Sequence, residues 1–156
     1  MDLELTGRTA LVIGGSSGIG AATAEVLAEE GCDVAVTYRR SVGGAQRTAA
    51  RVRELARRAW VLPLDLRSPD SVTRAAEELS ASVGPLGVVV VSAGHKVITP
   101  FERIGAPEWR EVIEVNLTGA FLAVRRIAQT IAVVASPVAE YMTGATIGVN
   151  SGRFPR

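Results

Sequence analysis

Short apolar runs alternate with amphipathic stretches along most of this chain. Four of the runs predict strands, at Thr9–Ile13, Asp33–Tyr38, Trp60–Leu64 and Val88–Val91, and the last is apolar throughout and expected to be fully buried. Strands that alternate with helical segments at this spacing are typical of a parallel sheet with helices on both faces. We therefore predict a doubly wound α/β fold.

The helices between the strands are predicted from apolar spacing and capping residues. The first covers Ala21–Glu30 and is followed by Gly31, which is typical of a C-terminal cap. The second covers Gly43–Arg58, with Val52 and Leu55 facing inward. Its arginines could be read as a nucleic-acid patch, but a solvated face is the favoured interpretation: Arg47, Arg51, Arg53, Arg57 and Arg58.

The second half of the chain predicts two more helices and one more strand. Ser68-Pro69-Asp70 supplies an N-cap and a first-turn proline for a helix that ends near Ser82. After a loop, the stretch Pro107–Ser136 could form one long helix, and Thr146–Val149 a fifth strand. The apolar positions of the long stretch are Val112, Ile113, Leu117, Phe121, Leu122, Ile127 and Ile131. The expected strand order is 3-2-1-4-5.

Composition narrows the class of protein. The chain has 156 residues, 47% of them hydrophobic, and a formal net charge of +1, so we expect one domain over residues 1–156 with neither nucleic acid nor a membrane as partner. Cys32 is the only cysteine, which excludes an internal disulfide, gives no basis for a metal site and indicates a small buried hydrophobe. With an acidic, polar N-terminus, these features lead us to expect a cytoplasmic protein.

The strongest chemical signal is a glycine-rich turn between the first strand and the first helix. Its sequence is Gly14-Gly15-Ser16-Ser17-Gly18-Ile19-Gly20. Glycines allow the backbone to approach a pyrophosphate closely, and the N-terminus of the following helix favours negative charge. An ordinary strand-to-helix turn is the alternative, but it seldom needs so many glycines. We interpret the turn as a phosphate-binding site.

The spacing Gly14-x-x-x-Gly18-x-Gly20 resembles that of the short-chain dehydrogenase/reductase family, in which a threonine usually precedes the first glycine. This chain has Ile13 there. The resemblance continues through residues 5–126 and includes Val115-Asn116-Leu117-Thr118-Gly119, which matches a family motif that bears an active-site asparagine. It implies a Rossmann-like fold, shortened here to about five strands. The cofactor-binding residues implied by the motifs and by the second strand are Gly14, Ser16, Ser17, Gly18, Ile19, Gly20, Tyr38, Arg39, Arg40, Asp65, Leu66, Ala93 and Gly94.

The end of the second strand predicts which nicotinamide cofactor binds. A carboxylate there would accept hydrogen bonds from a ribose 2′-hydroxyl and repel a 2′-phosphate. The sequence instead has Tyr38-Arg39-Arg40, and a guanidinium matches phosphate in a bidentate pair. NADP(H) is therefore favoured over NAD(H), although the two arginines could also be merely solvated charges.

The family's proton-transfer residues are missing. The resemblance implies a serine, a Tyr-x-x-x-Lys pair and an asparagine, with the lysine lowering the tyrosine pKa for acid–base work. Tyr38 is followed four residues later by Val42 and Tyr141 by Ala145, and Lys96 is the only lysine. Asn116 is thus the one remaining catalytic candidate, and a structural role is favoured for it.

The C-terminal segment resembles the end of the family fold, so an internal block is missing. Family members have about 250 residues, which implies that about 90 are absent. The junction is expected near residues 125–127. A natural deletion, an engineered shortening and a sequence from which a stretch has been left out all remain open.

Other residues at the fourth strand are candidates to replace the missing groups. His95 and Lys96 could carry a proton, but solvated loop residues are the favoured interpretation, and Ser92 has no paired base. Trp109 is interpreted as a packing anchor.

Three functions are compatible with these observations. The first is an NADP(H)-binding oxidoreductase-like protein that is inactive as written and would otherwise act on a small carbonyl or alcohol substrate. The second is a non-catalytic nucleotide-binding interaction or sensor module, and the third a remnant that does not fold stably. Because the shortening would expose a strand edge and apolar helix faces, we also expect a homo-oligomer.

Overall fold

The computed structural model describes residues 4–132, which form one parallel sheet with helices on both faces. The strands are β1 (Thr9–Ile13), β2 (Asp33–Tyr38), β3 (Ala59–Pro63) and β4 (Val88–Val91). The helices are α1 (Gly18–Glu29), α2 (Val42–Glu54), α3 (Pro69–Ser82), α4 (Ala106–Ile113) and α5 (Ala120–Ala132), with a 3-10 turn at Phe101–Arg103 and a π-helical segment at Glu114–Gly119.

The strand order is β3-β2-β1-β4, and all three pairings are parallel. Ile13 pairs with Val91, and Tyr38 pairs with Pro63, so the carboxyl ends of the strands lie along one edge of the sheet. The doubly wound α/β prediction is confirmed for this part of the chain. The fifth strand predicted at Thr146–Val149 lies outside the described residues.

Two apolar layers hold the helices to the sheet. On one face Leu11, Ile13 and Leu62 pack with residues of α3 and α5, and on the other Val12 and Val36 pack with residues of α1 and α2. Alternate residues of a strand face opposite sides of a sheet, so the continuous apolar runs of β1 and β2 supply both layers. The loops at the strand ends are therefore held by a core on each side.

The boundaries of two predicted helices shift. The first helix begins at Gly18 and so includes two glycines of the turn, while the second ends at Glu54 instead of Arg58. Because the chain turns at Ala56, whose φ is 58°, Leu55 is exposed and the prediction that it faces inward was wrong. Val52 and Cys32 are fully buried, as predicted.

The fourth strand is not fully buried. Val89 and Val91 keep 36% and 40% of their surfaces exposed, against a prediction of complete burial. The strand lies at the edge of the described sheet, where Val89 and Val91 pair with Leu11 and Ile13 and share their face of the sheet. Its apolar composition alone could not reveal this.

The long helical stretch is divided where the sequence predicts one helix. The π-helical segment separates α4 from α5, and the predicted continuation to Ser136 lies beyond the described residues. Each π-type bond adds a residue to a turn and rotates the following face. Accordingly, the buried positions are Val115, Gly119, Ala123 and Ile127, whereas Leu117 and Phe121 are 63% and 61% exposed.

None of the helices within residues 4–132 has the length and apolar character needed to cross a membrane.

Candidate functional site

A cleft of about 670 Å³ lies at the carboxyl edge of the sheet, where the loops after all four strands meet. Every residue predicted to bind a cofactor lines this cleft except Gly20. Thr37, Ser41, Leu64, Ser92, Lys96 and Val115 complete its lining. Side chains distant in sequence are thus brought together at the edge where open α/β sheets bind ligands.

The glycines of the turn have different geometric roles. Gly14 has a φ of 88°, and a Cβ atom there would come within 2.5 Å of the backbone nitrogen of Ala93. A Cβ atom on Gly20 would clash with the carbonyl oxygen of Gly14. These two glycines therefore allow the turn to pack against its neighbours, which explains why Gly20 is needed although it does not line the cleft.

Gly18 differs from these two because its missing side chain faces open space. Its φ is 56°, and a Cβ atom there would have no other atom within 4 Å. The residue begins α1, and the hydroxyl of the preceding Ser17 does not cap that helix. The positive end of the helix dipole and a stretch of bare backbone thus border the cleft together, an arrangement that suits an anionic group.

Thr37 anchors the glycine-rich turn, a role that the sequence patterns did not reveal. The backbone N–H of Gly14 donates to its hydroxyl oxygen at 3.1 Å, and that of Gly15 donates to its carbonyl oxygen at 3.0 Å. The side chain is almost completely buried. A hydroxyl within an otherwise apolar strand was the available signal, since a buried hydroxyl needs a hydrogen-bonding partner.

The wall beyond β2 carries two positive side chains. Arg39 and Arg40 are exposed and line the cleft. Neither side chain has a hydrogen bond or ion pair within residues 4–132. The hydroxyl of Ser41 accepts a 3.2 Å hydrogen bond from the backbone N–H of Gly44 and so caps α2 behind them. Their charge is consequently free to meet an anion.

The end of β3 carries a carboxylate that is already paired. Nε and a terminal nitrogen of Arg67 donate to Oδ1 and Oδ2 of Asp65 at 3.0 and 2.7 Å. These hydrogen bonds hold the pKa of Asp65 at about 2, with further lowering by the charge of Arg39. Asp65 therefore lines the cleft as a carboxylate whose charge is balanced by a neighbour.

Asn116 fastens the loop after β4 to the π-helical segment. Its Oδ1 accepts from the backbone N–H of His95 at 2.7 Å, and its Nδ2 donates to the carbonyl oxygen of His95 at 2.8 Å. Both sides of the amide are thus occupied by backbone. This geometry supports the structural role, while a catalytic role for Asn116 stays a prediction.

The other catalytic candidates near β4, His95, Lys96 and Ser92, form no catalytic set among the described residues. His95 Nε2 lies 3.7 Å from Oε2 of Glu111, and Ser92 and Lys96 line the cleft without a paired base.

Trp109 is 53% exposed, so its interpretation as a packing anchor was wrong, because α4 turns this side chain outward. No cluster that could hold a metal ion occurs within residues 4–132.

Known proteins match both the sequence and the fold. A 3beta-hydroxysteroid dehydrogenase 1 from Eggerthella lenta is 35% identical over 123 residues, which cover 79% of this chain and 47% of that protein. A 3-alpha-(or 20-beta)-hydroxysteroid dehydrogenase from Mycobacterium bovis is 32% identical over 151 residues, covering 97% of this chain and 54% of that protein. The chain spans about half the length of the curated relatives it matches.

A solved structure with a bound nucleotide has the same fold. The short chain dehydrogenase from Burkholderia cenocepacia in complex with NADP superposes with a TM-score of 0.75 and 34% identity, over 80% of this chain and 51% of that one. The family model described as short chain dehydrogenase matches residues 8–151. With the glycine-rich turn and the cleft in the geometry described above, the chain belongs to the short-chain dehydrogenase family.

Proposed function

We propose that the cleft binds a nicotinamide dinucleotide and prefers NADP(H) to NAD(H). The observation that carries this proposal is the pair of unpartnered, exposed guanidinium groups of Arg39 and Arg40 on the cleft wall within the described chain. A guanidinium can form two charge-assisted hydrogen bonds with a 2′-phosphate. A ribose 2′-hydroxyl offers no charge to match, so the phosphorylated cofactor gains more.

The rest of the cleft fits such a cofactor. The bare backbone at Gly18 and the uncapped start of α1 suit the pyrophosphate, which needs close approach and positive potential. Asp65 and Leu66 would face the adenine, and Ala93 and Gly94 would border the opposite part of the dinucleotide. The NADP complex of the Burkholderia cenocepacia relative supports the same class of ligand.

The chain as written would hold this cofactor without efficient turnover. A bound nicotinamide ring supplies hydride transfer, which here would involve a small carbonyl or alcohol substrate. A positioned acid–base group contributes about 10²–10⁴ in rate, and the sequence has no Tyr-x-x-x-Lys to provide it. The amide of Asn116 is engaged with the backbone of His95, so it does not replace the missing pair.

A nucleotide-dependent interaction module is the second candidate function. It is favoured by Leu117, Phe121 and Trp109, large apolar side chains that are exposed within the described chain. Such exposed residues suit contact with another protein surface, and a second copy of the chain is the partner we propose.

The whole of residues 1–156 is proposed to form one domain with an internal shortening near residues 125–127. The genomic reading frame around Arg126 tests this directly. A block that encodes Tyr-x-x-x-Lys at this point would restore the ordinary enzyme, whereas an uninterrupted frame would leave the short form as the natural protein.

Calorimetric titration with NADPH and NADH tests the cofactor preference. We expect NADPH to bind more tightly by about 1.5–3 kcal/mol, the range for hydrogen bonds to charged groups. Arg39→Ala should lose most of that difference, whereas Arg110→Ala, which removes an exposed arginine of α4 away from the cleft, should keep it. Equal affinities in the unmodified chain would refute the proposal.

A further inference from the structure

Asp65 is held in place at the cleft by its own loop. Its backbone N–H donates to Oγ of Ser71 at 3.0 Å, and its carbonyl oxygen accepts from the backbone N–H of Ser68 at 3.1 Å. Its Oδ1 also accepts from the backbone N–H of Arg67 at 3.0 Å. The carboxylate therefore projects from a backbone that is held in place. Whether a positive side chain pairs with this carboxylate decides how much negative charge it adds to the cleft.

Arg67 engages both oxygens of that carboxylate from outside the cleft. One edge of its guanidinium binds Oδ1 and Oδ2 of Asp65, while Nη1 donates to Oε1 of Glu111 at 3.3 Å. Asp65 belongs to the cleft lining and Arg67 does not. The contact by which Arg67 reaches the cleft is thus its pair of hydrogen bonds with Asp65.

Arg39 shares the cleft with Asp65, and the two side chains are electrostatically linked. Both line the cleft, and the charge of Arg39 contributes to lowering the pKa of Asp65. A carboxylate without its partner would attract a nearby guanidinium and repel a phosphate. If Asp65 were unpaired, its carboxylate would consequently weaken the binding of a 2′-phosphate by Arg39.

We propose that Arg67 sets the preference for NADP(H) by holding both carboxylate oxygens of Asp65, which leaves Arg39 available to the 2′-phosphate. The inference rests on the proposed binding of a nicotinamide dinucleotide. Arg67 is a positioning residue, because it contacts Asp65 and does not itself line the cleft. A cleft can in this way keep an acidic residue at the end of β3 and still accept a phosphorylated ribose.

The ratio of the dissociation constants for NADH and NADPH tests this role. Arg67→Ala should lower the ratio about three- to tenfold, the range expected for charge interactions at a partly exposed site. Arg74→Ala is the matched control, since it removes an exposed positive charge from α3 without contact with Asp65, and it should leave the ratio unchanged. If Arg67→Ala does not fold, Arg67→Gln is measured with the same expected loss.

A second substitution separates charge from simple damage to the loop. In the double variant Asp65→Asn, Arg67→Ala, no carboxylate remains to compete for Arg39, so the NADPH preference should return to about the original ratio. A distorted loop would not be repaired by this change.

Three results would count against these proposals in different ways. No NADPH preference in the unmodified chain would refute the proposed function itself. A clear preference that survives Arg67→Ala, or one that the double variant does not recover, would overturn the role of Arg67 alone.

Discussion

Two regions of the described sheet differ in how completely helices cover them: the side around β1 and β2, and the side around the edge strand β4. Around β1 and β2, helices cover both faces, the strand interiors are buried, and the glycine-rich turn is fixed by Thr37. Around β4, alternate valines remain exposed, and Leu117 and Phe121 of the long helical stretch face outward. The side around β1 and β2 is therefore complete within residues 4–132, whereas the β4 side presents apolar surface.

Under the proposed function, this difference separates cofactor binding from catalysis. Groups suited to a dinucleotide are contributed mainly by the loops after β1, β2 and β3, which the complete side holds in position. If the chain is shortened near residues 125–127, as proposed, the family's proton-transfer groups would belong to a block that follows Arg126. The proposed function accordingly expects a chain that binds the cofactor and is a poor catalyst.

The largest expected effect concerns Gly18 on the complete side. In Gly18→Val the new side chain would occupy the space kept open at the start of α1, and we expect NADPH affinity to fall by roughly 100-fold or more, about 3 kcal/mol. Calorimetry measures the loss. Gly84→Val is the matched control, because Gly84 also has a positive φ (84°) and open space where a side chain would begin, but lies outside the cleft.

The Gly84→Val control separates the loss of NADPH affinity from a general loss of stability. Val strains the backbone at both sites, so a similar fall in thermal stability is expected for the two variants. Only Gly18→Val should lose NADPH. Wild-type affinity in Gly18→Val would show that the glycine serves the turn alone.

Paired truncations in two strands compare the sides by stability. Val36 in β2 is completely buried, and Val36→Ala should lower the free energy of unfolding by about 2 kcal/mol through lost burial and a residual cavity. Val91 in β4 is partly exposed, so Val91→Ala should cost less than about 1 kcal/mol. Denaturant unfolding measures both. Equal costs would mean that residues beyond 132, or another chain, cover β4.

We expect the ion pair of Asp65 with Arg67 to make the stability of the fold depend on pH in the acid range. The folded pKa of Asp65 is about 2, below the usual value near 3.9, so its pairing with Arg67 stabilises the fold above about pH 4 and is lost as the pH falls toward 2. We expect Asp65→Asn to remove about 1 kcal/mol of this pH-dependent stability, after allowance for screening. Denaturant unfolding at a series of pH values measures the change.

The apolar surface on the β4 side should affect assembly more than stability. Phe121→Glu should change the free energy of unfolding of one subunit by less than about 0.5 kcal/mol, since the ring is exposed within the described chain. Light scattering should show a dimer or larger assembly for the unmodified chain and a smaller species for Phe121→Glu. A monomer in both cases would refute the expected homo-oligomer.

The same contrast explains what the sequence could predict. The strands β1 and β2 and the glycine-rich turn follow from apolar runs and a glycine spacing, because buried strands and tight turns allow few residue types. The cleft residues after β3 and β4, such as Asp65 and Gly94, were implied only by the resemblance to the family. The exposure of Val89, Leu55 and Phe121 does not follow, since a side chain's burial depends on the partners that cover it. The π-helical segment at Asn116 and the hydrogen bond of this side chain to the backbone of His95 were also not predicted, because no local sequence pattern indicates either.

The rate of NADPH consumption by the purified chain, with a panel of ketones and aldehydes, distinguishes a nucleotide-binding protein from an active enzyme. We predict that the chain binds NADPH but oxidises it no faster than Gly18→Val does under the same conditions. Rapid, substrate-dependent oxidation by the unmodified chain would refute the separation of binding from chemistry, and would assign the proton transfer to groups such as His95, Lys96 or Asn116.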